Sequence, residues 1–172
     1  IYFFFQSVNV EHNNINKIPF GIFAKAGQLS KLNFKENELC AFPLDFGTWI
    51  TLTELNMSNN DIQELPPDID KLINLEVLVL STNRLKKLPS QIGSLRKLRE
   101  LDLEENELDG IPSDIGFLTA LTKLWIQVTK KISVGSHYKT PPELDLLSYW
   151  VGKSYLSDTR LFTGTPPIVR YH

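Results

Sequence analysis

The stretch that decides the fold runs from Leu75 to Pro112: LEVLVLSTNRLKKLPSQIGSLRK (75–97), then LRELDLEENELDGIP (98–112). Both pieces carry L-x-x-L-x-L, an asparagine, and then x-L-x-x-[LI]-P, in the same order. Working outward, the asparagines recur at Asn13, Asn37, Asn60, Asn83 and Asn106, with spacings of 24, 23, 23 and 23 residues. A proline follows each one six residues later, at Pro19, Pro43, Pro66, Pro89 and Pro112. Softer copies of the apolar step are Leu29, Leu32, Phe34 and Leu52, Leu55, Met57, and the first copy keeps only Val8 and Val10. Of 26 leucines, 21 lie at or before Leu124, and none of the 12 asparagines lies beyond Asn106. Five copies in register at one period are an internal repeat, which has to be read before any short motif.

The unit is the leucine-rich repeat pattern. Its L-x-L step alternates, so it forms a short strand with leucines on one face. The asparagine ends the strand, and its amide both donates and accepts, so a stack of such amides can satisfy backbone groups at the turn. The proline forbids continuation of a ladder. Segments such as SQIGSL and SDIGFL then return along the outer side, with Ile92 and Leu95 pointing inward. One unit cannot bury enough apolar surface to offset the ordering of its own backbone, so the units must stack. The predicted fold class is therefore an α/β leucine-rich repeat solenoid. It has a curved parallel sheet, short helical or irregular outer segments, about five repeats, and a non-repetitive C-terminal tail.

A sixth copy begins at Leu121, Leu124 and Ile126, but Thr129 and Gly135 hold its expected asparagine and proline positions. The predicted division is a repeat segment over 7–126 and a poorly ordered tail over 127–172, with one short helix around 142–151. The repeat part, 1–126, holds 12 basic and 17 acidic residues, whereas the tail holds six and three. The ends read as non-repeat sequence. IYFFFQ can be encoded by a pyrimidine-rich tract ending in CAG, and Gln127-Val128 across CAG and GTA, so both ends are expected to be translated non-coding sequence or alternative exons.

Between the strand leucines lie the residues expected on the concave face. They are Ser30, Lys31, Asn33, Lys35 and Glu36; Thr53, Glu54, Asn56, Ser58 and Asn59; Glu76, Val77, Val79, Ser81 and Thr82; and Arg99, Glu100, Asp102, Glu104 and Glu105. Charge is mixed at one end, apolar at Val77 and Val79, and acidic at the other. A broad graded face suits a protein partner, since small ligands prefer closed pockets. Trp49 and Phe46 fall at core positions, and Trp125 falls on the concave side. The net charge of −2 gives no electrostatic case for nucleic acid. No apolar run reaches the roughly 18 residues of a membrane span. The single Cys40 excludes an intrachain disulfide. No nucleophile–base pair, phosphate loop or metal cluster is evident. The expectation is a protein that is not an enzyme, needs no cofactor and does not insert into membranes.

Residues VEHNNINKIPFGIF (10–23), LSKLNFKENEL (29–39), PLDFGTW (43–49), LEVLVLSTNRLKKLP (75–89) and LRKLRELDLEENEL (95–108) go beyond the repeat consensus. They resemble the Shoc-two (Sur-eight) family of leucine-rich repeat scaffolds, including at surface positions such as Lys86, Lys87 and Glu104. The resemblance implies a non-enzymatic scaffold of the Ras–Raf pathway. That family joins M-Ras, a Ras-family GTPase, to the catalytic subunit of type-one protein phosphatase, which dephosphorylates Raf and promotes MAP-kinase signalling. It implies a cytoplasmic and also nuclear location. Carried onto this chain, it makes Glu54, Glu76, Arg99, Glu100, Asp102, Glu104 and Glu105 the candidate partner-binding residues. The alternatives are a regulatory repeat array of a larger enzyme, or an incomplete gene product without independent function.

Overall fold

The computed structural model describes residues 6–126. The predicted tail and its predicted helix lie outside the described residues. Six strands form one parallel sheet in chain order: β1 (Ser7–Asn9), β2 (Lys31–Asn33), β3 (Glu54–Asn56), β4 (Val77–Val79), β5 (Glu100–Leu103) and β6 (Lys123–Ile126). Each strand pairs with the next repeat's strand, so Leu32, Leu55, Leu78, Leu101 and Leu124 form one row facing the core. The outer side is built from 3-10 helices at Phe46–Thr48, Pro67–Lys71, Ser90–Ser94 and Ser113–Phe117. The helical part of the predicted α/β class is thus 3-10 among the described residues. A return segment of five residues or fewer is too short for a stable α-helix. Pro66, Pro89 and Pro112 stand before three of these helices with φ of −64°, −70° and −66°. Their fixed φ directs the chain out of the asparagine turn and into the return.

The core runs between the two sides without a break. In the central repeats it is leucine and isoleucine, and Leu52, Leu55, Leu75, Leu78, Leu95, Leu98 and Leu101 are fully buried. In the early repeats aromatic rings fill the same space, and Phe46 and Trp49 are buried as their positions predict. Phe23 stands edge-on to Trp49 at 5.5 Å between ring centroids, and Phe46 does so at 5.3 Å. Such contacts add modestly to the apolar burial. Neighbouring outer turns pack closely. A Cβ at Gly93 would lie 2.5 Å from the Asp114 carbonyl oxygen, so that position requires glycine.

The asparagines seal the junctions. Asn60 Oδ1 accepts the Leu39 N–H at 2.9 Å, while its Nδ2 donates to the carbonyls of Phe34 in the previous repeat (3.0 Å) and Met57 in its own (3.1 Å). Asn83 repeats the pattern with Ile62 N–H, Met57 and Leu80, and Asn106 with Leu85 N–H, Leu80 and Leu103. Asn37 does the same at the first junction, taking the Ile15 N–H and donating to Val10 and Phe34. One side chain thus ties two repeats twice. These amides are buried, so each bond replaces backbone hydration that the core excludes.

The residue just before each asparagine adopts a left-handed backbone: His12, Glu36, Asn59, Thr82 and Glu105 have φ between 52° and 56°. This bend swings the chain from the strand into the asparagine turn. It is costly for L-residues, most of all for β-branched Thr82. The repeats hold it because both flanking segments are bonded to the neighbouring repeat.

Candidate functional site: the concave face

The outward-facing residues of the sheet fall into rows, because the pairing is parallel and in register. One row is Lys31, Glu54, Val77, Glu100, Lys123, and the next is Asn33, Asn56, Val79, Asp102, Trp125. In the first row charge is arranged symmetrically about Val77. Lys31 Nζ lies 2.6 Å from Glu54 Oε1, and Lys123 Nζ lies 2.7 Å from Glu100 Oε1. These pairs are solvent-exposed and contribute little to stability. They set one pair of opposite charges on either side of an apolar centre.

The second row has its own logic. Asn9, Asn33, Asn56 and Asp102 each accept the backbone N–H of the residue two further on, at 2.9–3.1 Å. These are side-chain turns of the Asx type. Val79 has no acceptor to offer, so β4 presents a methyl-bearing surface instead. Beside it, Leu78, Val79, Glu100, Asp102, Glu104 and Trp125 line a shallow hollow of ≈ 180 Å³. Lys123 Nζ stands 6.0 Å from the Trp125 ring centroid, within cation–π range. At the other end Glu11 accepts Asn33 Nδ2 at 2.7 Å. That bond and the one from Asn9 hold its carboxyl below the ordinary glutamate value, against an opposing desolvation effect.

The seven residues singled out from the sequence divide into groups. Glu100, Asp102 and Glu104 surround the hollow. Glu76 and Arg99 lie together beside it, with Arg99 Nη1 3.9 Å from Glu76 Oε2. Glu105 sits at the left-handed position and accepts the Thr82 hydroxyl at 2.9 Å. Glu54 lies farther along the sheet, paired with Lys31. Two of the seven, Glu54 in the mixed-charge part and Glu100 at the acidic end, have a lysine partner one repeat away. Lys31 precedes Glu54 by 23 residues and Lys123 follows Glu100 by 23, so the repeat period itself carries that signal. Trp125 completes the hollow, and Lys123 stands over its ring. Among the described residues no group of three or more His, Cys, Asp or Glu side chains is placed to hold a metal ion. Nor is any helix there long and apolar enough to cross a membrane.

A family model described as a leucine-rich repeat region matches residues 6–140. The chain belongs to the leucine-rich repeat family. The match extends past residue 126, the predicted end of the repeat segment. Over 43 residues the chain is 63% identical to the "Leucine-rich repeat protein soc-2 homolog" of Nematostella vectensis, covering 25% of this chain and 8% of that protein. The match agrees with the Shoc-two likeness read from the sequence. The chain therefore aligns with only a small part of that relative. Among solved structures, a leucine-rich repeat protein of Leptospira interrogans aligns with a TM-score of 0.69 at 31% identity, over 81% of this chain and 34% of that one. The ectodomain of the Arabidopsis thaliana receptor kinase GASSHO1/SCHENGEN3, in complex with Casparian strip integrity factor 2, aligns with a TM-score of 0.65 at 31% identity, over 71% and 15%. The leucine-rich repeat fold and its open face define a protein-interaction scaffold.

Proposed function

We propose that this leucine-rich repeat array is a docking segment of a Shoc-two-like scaffold of the Ras–Raf pathway. In this reading the concave face receives a Ras-family GTPase, M-Ras by resemblance, and the catalytic subunit of type-one protein phosphatase. The assembly brings the phosphatase to Raf, acts in the cytoplasm, and performs no catalysis of its own. The repeat array occupies 7–126. The observation that carries the reading is the 63% identity to the soc-2 homolog over 43 residues. The arrangement of the face supports it: paired charges flank Val77 and Val79, and three carboxylates surround a hollow closed by Trp125. Apolar centres with charged rims are the usual anatomy of protein interfaces.

Capture of purified GTP-loaded M-Ras and phosphatase catalytic subunit by the immobilised chain tests this. The wild-type chain is expected to retain both. The double variant Glu104→Lys/Glu105→Lys, with its fold checked by circular dichroism, is expected to retain about tenfold less, as opposed charges at an interface cost on this order. Equal capture by both chains rejects the acidic end as a contact. Capture of neither protein by wild type rejects the reading.

A further inference from the structure

The outer side of the first three repeats carries an apolar strip that the concave face does not use. Phe20, Leu44 and Pro67 occupy one place in successive repeats, each directly after a repeat proline. Phe20 is 76% exposed and Leu44 is 93% exposed. In the next two repeats that place holds exposed Ser90 and Ser113, and the cores beneath close fully, with Leu85, Ile92 and Leu95 buried. The later repeats are an internal control: the fold does not need an apolar side chain there. Exposed apolar side chains mark an interaction site when they lie side by side around a common surface, whereas single ones do not.

Next to Phe20 and Leu44 lies an open groove of ≈ 670 Å³, lined by residues 16–20 and 40–44. Its walls are mainly apolar, including Ile18, Phe42 and Pro43. Lys17 is the one charged side chain in the lining, and it makes no ion pair among the described residues. The Cys40 thiol is exposed at the same groove.

We infer that this groove docks a segment of a partner protein that presents an aromatic or large aliphatic side chain next to a carboxylate. The apolar side chain enters between Phe20, Phe42 and Leu44, and the carboxylate meets Lys17. A buried apolar anchor with a charged neighbour is how short protein segments gain affinity and direction. The groove is open along one side and the strip continues to Pro67, which fits a chain segment better than an enclosed small molecule. This site is separate from the concave face and does not depend on the proposed signalling role.

Cys40 provides the assay. The full chain is equilibrated under thiol-exchange conditions with the peptides Cys-Gly-Phe-Glu, Cys-Gly-Phe-Lys and Cys-Gly-Ser-Glu, and the mixed disulfides are quantified by mass spectrometry. The Phe-Glu peptide is expected to be captured about tenfold more than either of the others. Lys17→Glu should reverse the preference between Glu and Lys. Phe20→Ser/Leu44→Ser, two surface changes that leave the core intact, should abolish the advantage of Phe over Ser. Equal capture of all three peptides by wild type overturns the proposal, as does a preference that survives loss of Phe20 and Leu44. Competition by free phenylacetate as effective as by the Phe-Glu peptide would assign the groove to small acids instead. Self-association in sedimentation that Leu44→Ser abolishes would assign it to a second copy of the chain. Either result contradicts a partner-protein segment.

Discussion

At Asn60 the side chain is buried and makes four hydrogen bonds, one of them to the previous repeat's Leu39 N–H and another to its Phe34 carbonyl. Asn13 holds the same place in the first repeat, yet it is exposed, and among the described residues its side chain bonds only to Val10 and Glu11 of its own repeat. The letter is the same and the energy is not. An asparagine rung stabilises a junction only where a repeat lies on each side of it. Stability in this chain belongs to the interfaces between units, as expected of a stacked array.

The contrast can be broken first at the rungs. Asn60→Ala leaves the Leu39 N–H buried without a partner, while the Phe34 and Met57 carbonyls keep their bonds from Asn37 and Asn83. The cost should be about 2–3 kcal/mol, whereas Asn13→Ala should cost less than about 1 kcal/mol. Urea unfolding of the two variants compares them directly, and equal costs would break the argument. The leucine row gives a similar contrast. Leu78→Ala, fully buried in β4, should cost about 3 kcal/mol, and Val8→Ala, half-exposed in β1, about 1. Next come the glycines. Gly93→Ala drives a methyl into the Asp114 carbonyl and should lower stability by about 1–3 kcal/mol. Gly110→Ala meets nothing within 4 Å and should be neutral or mildly stabilising in thermal melts.

A smaller effect of opposite sign is expected at the left-handed position. Thr82→Asn should stabilise the chain by about 0.5–1 kcal/mol, because asparagine tolerates φ near 53° where a β-branched residue does not. Smallest is the pH effect at Glu11. Its carboxyl is lowered by hydrogen bonds from Asn33 and Asn9, so its contribution is complete above the ordinary glutamate value. That contribution is lost as pH falls through the lowered value. A carboxyl carbon titration by NMR should show a midpoint below that of a glutamate peptide, and Asn33→Ala should raise it.

Much of this architecture was legible in the letters. The period placed every strand, identified Phe46 and Trp49 as core, and assigned the asparagines to the backbone of the turns, because each of those roles depends on spacing and residue type alone. The left-handed row was not legible. His12, Glu36, Asn59, Thr82 and Glu105 share no side-chain property, and the conformation is imposed by bonds on either side. The concave face was legible as a list and not as an electrostatic pattern. The family resemblance makes Glu54 and Glu100 candidate contacts, while reading across the period shows Lys31 and Lys123 beside them. The outer strip escaped for the opposite reason. Phe20 and Leu44 look like ordinary core letters, and only the neighbouring repeats, with Ser90 and Ser113 at the same place, show that the fold has no use for them.

The rungs themselves offer the most direct test, by amide hydrogen exchange at Leu39, Ile62 and Leu85, whose N–H groups donate to Asn60, Asn83 and Asn106. If the junctions hold the array together, these three amides exchange slowly and at closely similar rates, through one shared opening. Asn83→Ala should then accelerate all three, Ile62 most. Exchange at the rate of an unstructured peptide in the wild-type chain, or protection of Ile62 unchanged by Asn83→Ala, would contradict the account.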